Sequence, residues 1–174
     1  SRLTVLPYEP LSAARRIDWH LLRNHLAAEL AELDLRRARL TEMEPLLSFR
    51  APLQKLLLAR ESRGDVEPAK AAGPPAKALA EVREIRKKLN QGREKEPPES
   101  ALKPSPVLAQ RAAGALDELR SALAGWFQFY DGFQPDFGWW LRQPHGALSR
   151  ELEELSGFLR SDIAGLKGGP DDPL

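Results

Sequence analysis

Only nine of the 174 residues carry a β-branched side chain: Val5, Val66, Val82, Val107, Ile17, Ile85, Ile163, Thr4 and Thr41. Pleated sheets are built largely from such residues and from aromatics. Alanine, leucine, arginine and glutamate dominate instead, and all four lose little freedom in a helix. The shortage therefore predicts an all-α fold of about four or five helices, two or three of them long and antiparallel. Hydrophobic residues make up 42% of the chain, enough to pack a core, and residues 1–174 read as a single helical region. Positive and negative side chains nearly cancel, 26 against 25, so no field recruits nucleic acid or an anionic membrane. No apolar run approaches a membrane span, and no signal peptide is visible at Ser1. Without cysteine there is no disulfide, thiolate nucleophile or cysteine-based zinc site, and the compartment stays open.

Hydrophobic spacing then places the elements. Pro7 and Pro10 hold residues 1–11 in an extended arm. Ser12 caps a long helix to about Met43, along which Ile17, Leu21, Leu22, Leu26, Leu30, Leu33 and Leu40 recur at helical spacing. Pro45 stops or kinks it. A second helix over roughly 52–62 opens at Pro52 and turns Leu53, Leu56 and Leu57 inward. Glycine and proline mark residues 63–75 as a loop. A third helix over about 76–90 carries Leu79, Val82, Ile85 or Arg86, and Leu89, with Gly92 suited to a left-handed C-terminal position. Residues 93–104 form a polar, proline-rich and flexible loop. Ser105-Pro106 is a strong helix start, followed by one apolar face through Leu108, Ala112, Leu116, Leu119 and Leu123. A last helix begins near Trp139 or Pro144 and runs to about Leu166, where Gly168-Gly169-Pro170 ends it.

Between the last two helices lies the run WFQFYDGFQPDFGWW, Trp126 to Trp140. It holds eight of the twelve aromatic residues and three of the four tryptophans. Burying an aromatic side chain is worth ~2–3 kcal/mol, so eight represent on the order of 20 kcal/mol before entropy is subtracted. That exceeds the usual net stability of a domain, roughly 5–15 kcal/mol, so most of the eight must be buried against something. Trp126, Phe127, Tyr130 and Phe137 are read as packing anchors of a helix–turn–helix corner broken by Gly132, Pro135 and Gly138, with Asp131 and Asp136 capping the turn. On its other side the corner offers a cleft wall for a peptide ligand. The candidates there are Tyr130, Asp131, Asp136, Trp139 and Trp140.

Catalytic motifs are absent elsewhere. His20 and His25 are five apart, about 140° around a helix, whereas zinc-binding histidines on a helix sit about four apart on one face. With His145 they read as three unrelated surface or helix-end histidines. There is no nucleophile elbow and no phosphate-binding glycine loop. Asp131, Gly132 and Asp136 lack the rest of a calcium loop.

Two blocks carry a resemblance. RIDWHLLRNHLAAEL, Arg16 to Leu30, and LDELRSALAGWFQFYDGFQPDFGWWLRQPHGALSRELEELSGFLR, Leu116 to Arg160, resemble the bacterial family called domain of unknown function 885. Its members show a similar Arg-Ile-Asp helix, an aromatic Tyr-Asn/Asp-Gly-Tyr/Phe-x-Pro turn, a Trp-Trp pair and an amphipathic helix. The family is similar to large, mostly helical zinc metallopeptidases and often carries the label X-Pro dipeptidyl-peptidase. The resemblance implies that this chain is the N-terminal helical region. The His-Glu metal motif belongs to a C-terminal half that follows where this chain stops. It implies zinc for the full-length protein and no cofactor or catalytic residue within these residues. The expected partner is the absent catalytic half, or a second copy through self-association. A stand-alone helical protein–protein interaction module is the alternative.

Overall fold

The computed structural model describes residues 8–61, without the Glu61 side chain, and 66–166. The chain is all-α, and among the described residues there is no strand. It divides into two compact units, Ser1–Glu42 and Met43–Leu174. No helix among the described residues is long and apolar enough to cross a membrane.

Among the described residues, the first unit is one helix and a short turn. Helix α1, Ala13–Leu47, runs through it and leaves its last residues to the second unit. Ser12 caps α1 as its residue type suggests: the Arg15 amide reaches its Oγ at 3.5 Å and the Arg16 amide its carbonyl at 2.9 Å. The described part of the arm is a turn, closed by the Leu11 amide on the Tyr8 carbonyl at 3.1 Å. Residues 1–7 of the expected arm lie outside the described residues. Tyr8 lies edge-on to Trp19 at 5.1 Å, and its hydroxyl is 3.0 Å from Nε2 of His20. Arg16 lies 5.1 Å over the same ring and donates to the Glu9 and Leu11 carbonyls. Pro45 does not end α1. It sits within the final turns, beyond which the chain bends at Ser48-Phe49.

The second unit is built from α2, Arg50–Glu61; α3, Pro68–Ala71; α4, Gly73–Gln91; α5, Pro106–Asp131; and α6, Pro135–Phe158. A loop was expected over 63–75, yet Pro68 opens α3 and α4 already starts at Gly73. Proline costs nothing in a helix's first turn, where the N–H has no partner in any case. Its ion pairs fix the directions of the three long helices. Arg83 meets Glu151 (3.1 Å), Arg86 meets Glu154 (2.5 Å) and, just past the ends of both helices, Arg93 meets Asp162 (3.1 Å); partners advance together along the chain, so α4 and α6 run parallel. Arg120 meets Glu153 at 2.9 Å and Asp117 meets Arg160, so α5 runs antiparallel to α6.

Their shared core holds Val82, Ile85 and Leu89 of α4, Leu116, Leu119 and Leu123 of α5, and Leu148, Leu152 and Leu155 of α6. Met43, Leu46, Leu47, Phe49 and Leu53 close one side of it. Ala109, Ala112 and Ala113 are wholly buried, and their small side chains let α5 approach its neighbours closely. Ser156 uses that approach. It is buried, donates to the Ala113 carbonyl at 3.3 Å and accepts from Arg160 at 2.8 Å. A buried hydroxyl needs such partners.

Two ends differ from the sequence expectation. Gly92 has φ −62°, an ordinary right-handed value, not a left-handed one. Glycine stands there because the chain returns over it. The Leu102 amide donates to the Lys88 carbonyl at 3.1 Å, and a Cβ on Gly92 would overlap the Leu102 carbonyl oxygen. After α6 the backbone widens into a π-turn over Leu159–Ile163, with Ala164 donating to Leu159 at 2.9 Å and Leu166 to Arg160 at 2.9 Å. Gly165, at φ 73°, supplies the left-handed residue that such helix ends use. The glycine-proline stop at 168–170 lies outside the described residues.

Candidate functional site

The aromatic corner joins α5 to α6 through Gly132, Phe133 and Gln134 alone. The Phe133 and Gln134 amides both donate to the Tyr130 carbonyl, at 3.0 and 2.9 Å. α6 begins at Pro135, earlier than the Trp139 or Pro144 expected, because proline suits its first turn. Gly138 and Pro144 therefore lie inside the helix.

Helical spacing sorts the eight aromatics into two sets. Trp126 and Tyr130 are one turn apart on α5, and Phe137 and Leu141 one turn apart on α6. All four are buried, with Ala71 of α3 beside them. Trp126 lies 5.1 Å edge-on to Phe137, and Tyr130 stacks on Phe137 at 5.2 Å. Phe127 is half-buried against them. The anchors are thus Trp126, Phe127, Tyr130 and Phe137. The other four turn outward. Trp139 is 77% and Phe133 75% exposed, and Trp140 and Phe129 are also exposed. Half of the run, not most of it, finds cover within the second unit.

Each of the five residues expected at a cleft has a definite place. Tyr130 faces the packed side. Asp131 pairs with Arg142 at 3.6 Å across the turn. Gly138 makes room for that pairing, since a Cβ there would overlap the Asp131 carboxylate. Asp136 is exposed in the first turn of α6, where a negative charge favours the helix dipole. Neither aspartate caps α6: its N-cap is Gln134, without a side-chain cap bond. Trp139 and Trp140 lie edge to face at 4.7 Å. Solvent-facing aromatics therefore come from the end of α5 (Phe129), the turn (Phe133) and the outer side of α6 (Trp139 and Trp140), and Tyr130 does not join them.

Sequence reasoning missed Arg60. Its guanidinium lies 4.5 Å over the Phe129 ring, and it donates to the Gly125 carbonyl at 3.4 Å. Leu57, Arg60, Ser121, Ala122 and Gly125 line an open depression of about 500 Å³ there. An arginine near the end of α2 carries no local mark of this role, because its partners lie 65 or more residues away.

His145 is stacked on Phe127 at 4.5 Å with 12° between the ring planes, above Leu123, Leu148 and Leu152. Burial pushes its pKa below the ordinary histidine value, opposed by a hydrogen bond to the Leu123 backbone. Nε2 is buried with no partner among the described residues, and Arg120, paired to Glu153, is the charged group lining the same site. The folded state therefore prefers the neutral ring. Stability is full above the unfolded-state pKa and is lost as pH falls below it. Chemical-denaturation midpoints should fall between about pH 7.5 and about pH 5.5, and His145→Gln should flatten that fall. Equal slopes for the two proteins would refute the assignment.

His20 is engaged by Tyr8 and His145 by Phe127, and no three His, Asp or Glu residues converge on a metal position among the described residues. Comparison of the chain with protein-family models, curated proteins and solved structures gives no match.

Proposed function

We propose that this chain is a non-catalytic helical region that packs on a further protein body through the outer side of its aromatic corner. The carrying observation is the exposure of Phe129, Phe133, Trp139 and Trp140 on one turn and its flanks. Full burial of such a side chain is worth about 1.5–3 kcal/mol, and covering the parts of the four still exposed is worth on the order of half of that each. The four form two contacting pairs, Phe129 with Phe133 at 5.1 Å and Trp139 with Trp140 at 4.7 Å, and exposed apolar groups of this size mark interaction surfaces. In the family that the chain resembles, the covering body is the zinc-peptidase half. The corner would then form a wall of its substrate channel, with Tyr130, Asp131, Asp136, Trp139 and Trp140 as the channel-side candidates and zinc held entirely by that other half. A stand-alone interaction module is the second reading, favoured by the uncovered apolar residues of α1.

Two measurements test the first reading. The purified chain, assayed with and without zinc on dipeptides and proline-containing peptides, is expected to give no turnover; turnover would end the non-catalytic assignment. The chain should also enhance the fluorescence of an apolar dye, and the pair Trp139→Ala with Trp140→Ala should remove a clear part of that signal, the exposed leucines of α1 supplying the rest. A signal unchanged by the double substitution would show that the corner is not the docking surface.

A further inference from the structure

The depression between α2 and α5 carries an assignment of its own. Leu57 and Arg60 of α2 form one wall of it, and Ser121, Ala122 and Gly125 of α5 the other, around a volume of about 500 Å³. Pockets for small ligands have volumes of this order. Ser121 and Ala122 stand four and three residues before Gly125, so the three share one face of α5. Packing within the second unit does not call for glycine at this place, since a Cβ on Gly125 would meet nothing within 4 Å. Glycine within a helix is less stable than alanine, and here its bare backbone leaves the floor of the depression open.

Arg60 is the charged residue that lines the depression. Among the described residues its partners are the Phe129 ring and the Gly125 carbonyl, neither of them a carboxylate. The ring on one side and the carbonyl on another hold the planar guanidinium in place, and its other N–H groups are available to an anion.

We infer that the depression binds an aliphatic monocarboxylate, its acid group on Arg60 and Ser121 and its chain along Leu57 and Ala122. A guanidinium takes a carboxylate through two parallel hydrogen bonds, and Ser121 adds a hydroxyl donor. A peptide fits less well. Both walls are helices whose backbone groups bond within the helix, and the Gly125 carbonyl already accepts from Arg60. An aliphatic chain brings no amide groups that need partners. A second acid group is disfavoured, because Glu118 stands one turn before Ser121 and Ala122 on the same face of α5. The site shares only Phe129 with the docking surface proposed above and does not depend on it.

Nuclear magnetic resonance of the full chain titrated with sodium octanoate tests the assignment. Saturable shifts are expected at the Ser121 and Gly125 amides and the Arg60 Nε–H. The expected Kd is on the order of 1 mM, because an open depression covers one side of a ligand. Arg60→Gln keeps a polar side chain at an exposed position and should weaken binding roughly tenfold or more, the loss that follows removal of a charge-assisted pair. Gly125→Leu should fill the depression and weaken binding with Arg60 intact and helicity undiminished, leucine being the better helix former. Octanol and octylammonium carry the same chain without the carboxylate and should bind clearly more weakly than octanoate. Equal binding of octanol would reduce the site to a general apolar one and refute carboxylate recognition. Equal binding of acetate would refute the contact with the chain. Tighter binding of acetyl-alanyl-leucine than of octanoate would give the depression to a peptide end instead. Octanoate shifts that persist in Arg60→Gln, that centre on Trp139 and Trp140, or that fail to appear in the millimolar range would overturn the site.

Discussion

Trp126→Ala is expected to destabilise the second unit by about 3–5 kcal/mol, the range for removing a buried aromatic from a packed core. Trp126 is wholly buried and holds both sides of the corner, against Tyr130 at 5.7 Å and Phe137 at 5.1 Å. Its removal costs the transfer of the indole and leaves a void between two helices joined by a three-residue turn, which limits collapse. For a body of this size the midpoint of thermal unfolding should fall by about 10–15 °C. Two comparisons separate packing from aromatic content. Trp139→Ala, on the exposed side, should change stability by no more than about 0.5 kcal/mol. Trp126→Phe should cost clearly less than alanine. It keeps most of the ring and removes an Nε1–H that has no hydrogen-bond partner among the described residues. Melting by circular dichroism decides, and equal losses at Trp126 and Trp139 would contradict the inward–outward division of the corner.

Gly92→Ala sets two effects of opposite sign against each other. At an ordinary right-handed φ the C-cap has no need of glycine, and alanine would gain about 0.4–1 kcal/mol by restricting the unfolded chain. Sterically the added Cβ would overlap the Leu102 carbonyl oxygen and stand 3.1 Å from its carbon and 3.2 Å from the Leu89 oxygen. These are backbone atoms, so no side chain can rotate away. Residues 101–104 must lift, and the Leu102–Lys88 hydrogen bond with them. Overpacking of this kind costs about 1–3 kcal/mol, so a net loss is expected. Denaturant titration measures it. A more stable Gly92→Ala protein would mean that the returning loop yields freely.

Some of this could be read from neighbouring residues alone. Ser105 does accept the Leu108 amide, at 3.3 Å, at the head of α5, and Pro106 follows it. The inward faces of α4 and α5 are the ones their spacing indicated. The corner's anchors follow from the same rule, since Trp126–Tyr130 and Phe137–Leu141 are each one turn apart. The boundaries of α6 were harder. Pro135 could end a turn or begin a helix, and only the pairing of its neighbours with α5 decides between them. Nothing local distinguishes the π-turn after Phe158, which depends on how Arg160 and Leu159 are held against α5.

α1 and α5 make the same point from opposite outcomes. Both show leucines at helical spacing, yet the α5 row is buried while Ile17, Leu21 and Leu35 are exposed. Periodicity reports that a face is apolar; what covers it depends on residues distant in the chain. The sequence by itself determined helix formation, through the shortage of β-branched residues, the serine and proline starts and the spacing of leucines. These are effects of a residue on its own few neighbours. Only the tertiary structure decided which aromatics of the corner face inward, that Arg60 lies over Phe129, and that Gly92 is required by a passing backbone. Each depends on contacts between residues far apart in sequence, which no local pattern encodes.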